Sequence, residues 1–218
     1  MSVTKPVIAV LGGTGAEGSG LAARWARAGY RVLVGSRDAA RAAEAAAAFG
    51  AEGMHNAAAA SACDIAVLTV PYAAQRPTLE ALRDALQGKI LIDVTVPLVP
   101  PKVMRVQMPP EGSAAKIAQD LLGDGVRVVS AFQNVSAEHL ADGDHAIDCD
   151  VLIAGDDPAA RAEAVALADA AGLRGIEAGP LDNAAAAEAL TSLLIWMNRR
   201  YKSPGTGIRI TGIPEESD

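Results

Sequence analysis

The chain has 218 residues, room for one or two domains at about 150 residues each. Half of it is hydrophobic, but 47 residues are alanine and only seven are aromatic, which argues against a ring-lined surface for sugars or single-stranded nucleic acid. The net charge of −7 disfavours a general DNA or RNA partner, because such binding needs a basic face.

The charge is unevenly spread. Residues 1–109 carry 11 basic and 8 acidic groups; residues 110–218 carry 8 and 18. An anionic ligand is therefore expected in the first half. Met1–Pro6 runs straight into a strand-like segment without the pattern of a secretory signal. No apolar run approaches the ~20 residues of a membrane span. The expectation is a cytoplasmic protein with no membrane partner. Cys63 and Cys149 sit beside apolar segments and read as buried thiols. His55, His139 and His145 form no metal-binding pattern, so no metal site is expected.

Val7–Leu11 is a short apolar run ending at Gly12 and reads as a buried parallel strand. A helical pattern follows from Glu17 to Ala28, stopped by Gly29. Arg31–Gly35 reads as a second strand. Asp38–Phe49 reads as an alanine-rich helix with Asp38 as N-cap and Gly50 at its end. This β-α-β-α order is the signature of a parallel sheet with crossover helices. A third strand is expected at Asp64–Val70, a helix at Ala73–Leu86 and a fourth strand at Lys89–Val94. Pro97–Pro110 holds five prolines and reads as a stiff loop. A short helix at Ser113–Leu121 and a strand at Arg127–Phe132 come next. Cys149–Ala154, Pro158–Ala171 and Leu173–Ala178 read as strand, helix and strand. A long helix spans Asn183–Tyr201, an apolar alternation runs from Gly207 to Ile213, and Glu215–Asp218 reads as an unstructured tail. The fold class is α/β: a Rossmann-type doubly wound parallel sheet with a small C-terminal α/β extension.

Between the first strand and helix stands Gly13-Thr14-Gly15-Ala16-Glu17-Gly18, a G-x-G-x-x-G in the context that motif requires. The first glycine permits the tight turn, the second lets backbone approach a pyrophosphate, and the third lets helix and strand pack closely. The amides at the helix start then face the phosphates. About 20 residues on, an NAD site places an acid for the ribose hydroxyls. This chain has Gly35-Ser36-Arg37 and then Arg41. Guanidinium groups pair with a 2′-phosphate, and Ser36 can donate to it, which favours NADP over NAD. Asp38, the nearby acid, reads as a helix cap. The alternative for Arg37 and Arg41 is solvated charge at a helix start.

No Tyr-x-x-x-Lys pair serves to protonate a carbonyl, and no Cys-His or Ser-His-Asp constellation stands out. About 60 residues follow Pro158, too few for the large helical domain of hydroxyacid dehydrogenases or pyrroline carboxylate reductases. The redox partner should therefore need little help with proton transfer. A second redox cofactor fits that better than an alcohol or an imine.

Several ordered motifs resemble the NADPH-dependent reductases of the deazaflavin coenzyme F420. They are Gly12-Gly13-Thr14-Gly15, Gly35-Ser36-Arg37, Ala66–Tyr72, Leu91–Leu98, Gly112–Ala115, Cys149–Asp157, Glu177–Leu181, Asn198–Lys202 and Gly207–Ile210. The resemblance covers about Val7 to Ile213. It implies reversible hydride transfer between NADPH and F420 by a homodimeric, cytoplasmic enzyme. It divides the chain into an NADP-binding Rossmann domain, 1–147, and a smaller portion, 148–218, that completes the acceptor site. Thr14, Gly15, Ala16 and Glu17 would line the pyrophosphate turn, and Ser36, Arg37 and Arg41 match the 2′-phosphate positions. Val70, Pro71 and Ala74 would lie along the nicotinamide half, with Ala137 near the nicotinamide. Val94, Thr95, Pro97 and Leu98, with Gln133, Asn134 and Val135, would face the deazaflavin. No catalytic acid or base is assigned.

One departure is Gln133-Asn134, where many relatives carry His or Asn followed by Thr. Gln133 or Asn134 could hydrogen-bond a ring carbonyl or the carboxamide, or simply satisfy backbone. Trp196 is a second candidate departure, a bulky residue in a helix that could border the pocket; core or dimer packing is the favoured alternative. Arg199, Arg200, Lys202 and Arg209 could hold the anionic tail of the deazaflavin; the first three read better as cations favoured at a helix C-terminus. Two alternatives stay open: an NADPH-dependent reductase of a flavin or other acceptor, and a non-catalytic NADP-binding regulatory protein.

Overall fold

The computed structural model describes residues 5–143 and 146–213; His145 and the Glu215–Asp218 tail lie outside them. Five short strands alternate with helices: β1 (Ile8–Leu11), α1 (Ala16–Arg27), β2 (Val32–Ser36), α2 (Ala39–Ala47), β3 (Glu52–His55), α3 (Asn56–Ala62), β4 (Ile65–Leu68), α4 (Tyr72–Leu86) and β5 (Ile90–Asp93). Then come α5 (Ala114–Leu122), β6 (Arg127–Ser130), α6 (Ala137–Ala141), β7 (Asp150–Gly155), α7 (Pro158–Ala170), β8 (Arg174–Gly179), a 3-10 turn and α8 (Ala184–Tyr201). All eight strands form one sheet, in the order β3-β2-β1-β4-β5-β6-β7-β8.

Buried strands of this kind follow from their residues. β1 and β4 both read Ile-Ala-Val-Leu and are fully buried. Their alternate side chains feed two cores, one on each face of the sheet. Ile8, Val10, Val34, Val67 and Ile92 point to one face, with Trp25, Phe132 and Leu167. Ala9, Leu11, Leu33, Leu68 and Leu91 point to the other, with Leu79, Leu82 and Leu86 of α4. Trp25 ties distant parts of the chain together. Its ring meets Phe132 edge-on at 5.8 Å. Its Nε1–H donates to the Leu167 carbonyl at 2.8 Å. One turn of side chain away, buried Arg24 donates to the carbonyls of Leu140, His139, Asp142 and Ala171.

Three elements escape the sequence pattern. β3 and α3 fill residues 52–62, where no element was expected, and α6 fills 137–141. β3 reads Glu-Gly-Met-His, without a buried face, because it is an edge strand. Gly53 is required there: a Cβ would lie 2.2 Å from the backbone of Ala42 in α2. The sheet is also not wholly parallel. β7 runs antiparallel to β6, and β8 runs parallel to β7. The Gly207–Ile213 alternation forms no strand; it is an extended strap, with the Asp150 N–H donating to the Ile208 carbonyl at 2.8 Å. Asp150 clamps the strap. It receives Arg174 at 2.6 Å and the Ile210 N–H at 2.6 Å, and these partners hold its carboxyl below the usual range despite burial.

Register fixes where the sheet ends. Gly35, Leu11, Leu68, Asp93 and Ser130 stand level across β2, β1, β4, β5 and β6. Only Ala154 and Gly155 of β7 pair with β6. Asp150–Ile153 therefore overhang this row by roughly 13 Å at the usual strand rise. The reversed pair stands as a side wall above the C-terminal edge of the parallel strands.

Candidate active site

The chain leaves β1 for β2 on one side and returns to β4 on the other. The crevice over β1 and β4 is thus a topological switch point, where sheets of this type bind ligands. The turn Gly12–Gly15 occupies it. Gly12 has φ +79°, a left-handed conformation that suits glycine, and a Cβ there would strike Val70 at 2.5 Å. A Cβ on Gly13 would lie 2.8 Å from the Val10 carbonyl. A Cβ on Gly18 would lie 2.5 Å from Thr69 Oγ1 and 2.8 Å from Gly13 Cα, so that glycine lets α1 press onto the strands. Gly15 differs: a Cβ would find only Gly12 O at 3.8 Å. Nothing within the protein demands glycine at this N-cap of α1. The space over this backbone is open, which leaves room for a pyrophosphate to approach it.

Thr14 and Ala16 flank this opening, half-buried and exposed. Glu17 lies in the first turn of α1, and desolvation raises its carboxyl to about 8. At the β2 end, Ser36 is buried and its Oγ accepts the Asp38 N–H at 3.2 Å. Asp38 caps α2, accepting the N–H groups of Ala40 at 2.9 Å and Arg41 at 3.2 Å. Its carboxylate is thereby committed to backbone, as the sequence suggests. Arg37 and Arg41 are exposed. Among the described residues neither is in an ion pair.

The inner half is more crowded. Thr69 donates its N–H to the Leu11 carbonyl at 3.0 Å, which lays Val70 against the glycine turn. Pro71 is exposed at the start of α4, and Ala74 is half-buried one turn in. Val94 and Thr95 are buried, Pro97 is buried and Leu98 is half-exposed. The Val94 side chain belongs to the core, so that residue can offer a ligand only its backbone. Phe132 has φ +73°, a sparsely populated conformation that turns Gln133 under β5. Gln133 Nε2 donates to the Asp93 carbonyl at 2.7 Å. Gln133 Oε1 and Ser130 Oγ are buried without a partner among the described residues. Asn134 points its amide to α8 instead, donating to the Ala187 carbonyl at 2.8 Å and Thr191 Oγ1 at 3.2 Å. Val135 is half-buried against the core, and Ala137 opens α6.

Residues that the sequence did not single out hold this end together. Asp93, wholly buried, accepts Gln75 Nε2 at 2.5 Å and the Thr95 N–H at 3.0 Å. Burial raises its carboxyl to about 6, against these bonds. Gln75 also donates to the Ala114 carbonyl at 2.8 Å. Glu188 of α8 accepts the N–H groups of Ala114 at 2.6 Å and Ala115 at 3.0 Å, filling the N-terminus of α5. Burial pushes Glu188 up to about 8, and neighbouring Asp93 adds to the rise. The one visible signal was an acid inside each apolar run, Ile90–Asp93 and Ala184–Leu190. A cavity of about 480 Å³ opens beside this hub, between Tyr72, Gln75 and Arg76 of α4, the loop residues Met108 and Pro109, and Ile117.

The C-terminal candidates separate. Arg209 pairs with Asp148 at 2.9 Å and approaches Asp150 at 3.6 Å, a structural role in the strap. Arg199 and Arg200 are exposed in the last turn of α8, and Lys202 caps it in a left-handed conformation. Trp196 is 49% exposed and does not belong to the core.

Comparison with known proteins decides the family. Residues 7–97 match the family described as NADP oxidoreductase, coenzyme F420-dependent. The F420-dependent NADP reductase of Methanothermobacter thermautotrophicus is 44% identical, over 96% of this chain and 96% of its own. The chain belongs to this family. The F420-dependent NADP reductase of Methanocaldococcus jannaschii is 41% identical over 94% of this chain and 98% of its own. A crystal structure from Arthrobacter sp. FB24, provisionally assigned as an F420-dependent NADP reductase, superposes with a TM-score of 0.84 at 25% identity, covering 95% of this chain and 100% of that one.

Two outcomes are expected from this geometry. Gly15→Ala should leave the thermal midpoint in place but weaken dinucleotide binding by about tenfold or more, whereas Gly18→Ala should lower the midpoint by forcing α1 off the strands; paired melts and binding titrations check both. The raised Glu188 carboxyl carries a sign. The fold favours its protonated form, so its contribution is complete below the ordinary value of 4.5 and is lost as pH rises through about 8. Stability should fall across that window, by at most about 1.4 kcal/mol per pH unit from this group. Denaturation of Glu188→Gln at pH 5 and pH 8 should show a flatter profile than the parent protein.

Proposed function

We propose that this protein transfers a hydride reversibly between NADPH and coenzyme F420. Its family membership over nearly the full length supports the acceptor. The observation that carries the nucleotide reading is at the end of β2: among the described residues Arg37 and Arg41 stand without acid partners, while Asp38 is locked as a cap. A 2′-phosphate fits two such guanidiniums, and the open Gly15 backbone fits the pyrophosphate.

NADPH supplies the hydride, from C4 of its nicotinamide to C5 of the deazaflavin, and one proton from solvent completes the reduced acceptor. The protein's work is to bind, align and exclude water. Ser36, Arg37 and Arg41 anchor one end of the nucleotide, and the α1 amides with Thr14, Gly15, Ala16 and Glu17 hold its middle. Val70, Pro71, Ala74 and Ala137 flank the nicotinamide. Thr95, Pro97, Leu98, Gln133 and Val135, with the backbone at Val94, border the acceptor. Gln133 Oε1 is buried and without a partner among the described residues, so it leaves a polar point just beneath this border. Asn134 supports this border from behind by fastening it to α8.

The division at residues 1–147 and 148–218 follows the same logic: the first portion binds the dinucleotide, and the second raises the wall that completes the acceptor site. Leu193, Trp196, Met197 and Tyr201 leave an exposed apolar face on α8, which we assign to a homodimer contact. The two free, buried thiols suit the cytoplasm.

Mixing the purified protein with NADPH and oxidised F420 tests the reading. Bleaching of the deazaflavin absorbance is expected; bleaching only with a flavin, or binding of NADPH with no acceptor reduced, would overturn it. Arg37→Ala should raise the Kd for NADPH by about 10–100-fold and change that for NADH little. Equal losses for both nucleotides would sink the 2′-phosphate assignment.

A further inference from the structure

We infer that His55 is a specificity-determining residue for the 2′-phosphate, closing the side of the Ser36–Arg37–Arg41 pocket that α2 leaves open. The inference rests on the NADPH reading and adds a residue that the reading lacks.

The edge strand β3 brings His55 into place. Ser36 and His55 are register partners at the ends of β2 and β3. Adjacent strands lie about 4.8 Å apart, and paired residues present their side chains to the same face. Both residues therefore stand at the end of the sheet where the 2′-phosphate would sit. His55 is exposed, so its ring is open to a ligand.

The position of the ring is also fixed. His55 Nδ1 accepts the Ala57 N–H at 3.4 Å, capping α3. With Nδ1 used as an acceptor, the ring carries its proton on Nε2, which faces away from the cap as a donor. The next residue, Asn56, is buried, and its Oδ1 accepts the Gly12 N–H at 3.3 Å. Its Oδ1 also lies where a Cβ on Gly35 would come within 2.6 Å. His55 is thus tied through one residue to the phosphate turn and through the ladder to Ser36. Among the described residues no acid is paired with it: Asp38 is committed to α2, and Glu52, at the far end of β3, pairs with Arg31 at 2.7 Å. A third donor on a rigid edge discriminates a phosphate from a hydroxyl better than two long, exposed arginines alone.

The test is the Kd of the full chain for NADPH and for NADH, by nucleotide fluorescence, alongside thermal melts. His55→Ala should weaken NADPH about 3–10-fold and leave NADH within about twofold. His55→Asn keeps an oxygen that can cap α3 but lacks the distal donor. It should hold the parent's melting temperature and still show the NADPH loss. If His55→Asn binds both nucleotides like the parent, or loses both equally, the inference is wrong. Arg37→Ala run in parallel separates the two readings. If it discriminates between NADPH and NADH while His55→Asn does not, only His55 is excluded. If neither discriminates, the pocket itself is misassigned and the role of His55 falls with it.

Discussion

Helix α1 can begin where it does only because its third residue has no side chain. Gly18 brings the helix to within contact of Gly13 and Thr69, closer than any Cβ would allow. Once α1 is seated, its N-terminus points over the junction of β1 and β4, Trp25 reaches Leu167, and Arg24 collects four carbonyls from α6 and the end of α7. The phosphate turn and the joint between the two ends of the chain are thus set by the same close approach. A binding site of this kind does not sit on a finished scaffold. It is the exposed side of the packing that makes the scaffold.

A second constraint governs the acceptor end. Asp93 puts a carboxylate at the buried end of β5, where desolvation is costly, and the surrounding chain arranges itself to satisfy it. Gln75 brings in α4, the Thr95 N–H turns the loop after β5, and Gln133 anchors the segment after β6 through the neighbouring carbonyl. Glu188 adds a second buried acid at the start of α5. Two such groups side by side make this region polar beneath an apolar rim.

The sequence made the repeating architecture and the nucleotide chemistry legible because both are local. A glycine turn between a buried run and an amphipathic helix, or two arginines after a strand, can be recognised without knowing what packs against them. β3 was not legible, because Glu52–His55 lacks a buried face and is held as a strand by β2 and α2. The reversal of β7 was equally hidden, since Asp150–Gly155 has the same apolar character whichever way it runs. Gln75 is a polar residue on a helix, indistinguishable in sequence from a solvated one; only the fold turns it inward. Trp196 was expected in a core or a contact between subunits, and its exposure removes the first of these.

The overhanging β7–β8 pair has a consequence in time as well as in space. Every strand of the parallel row, and the whole phosphate turn, lies before residue 131. The wall that rises above them, and the helix that braces Gln133, Asn134 and α5, come from the last third of the chain. During synthesis from the N-terminus, the parallel row emerges first. The segment after β6 and the start of α5 gain their brace only when the final helix has left the ribosome. The joint that Trp25 and Arg24 make with the end of α7 is therefore complete before the brace from α8 arrives.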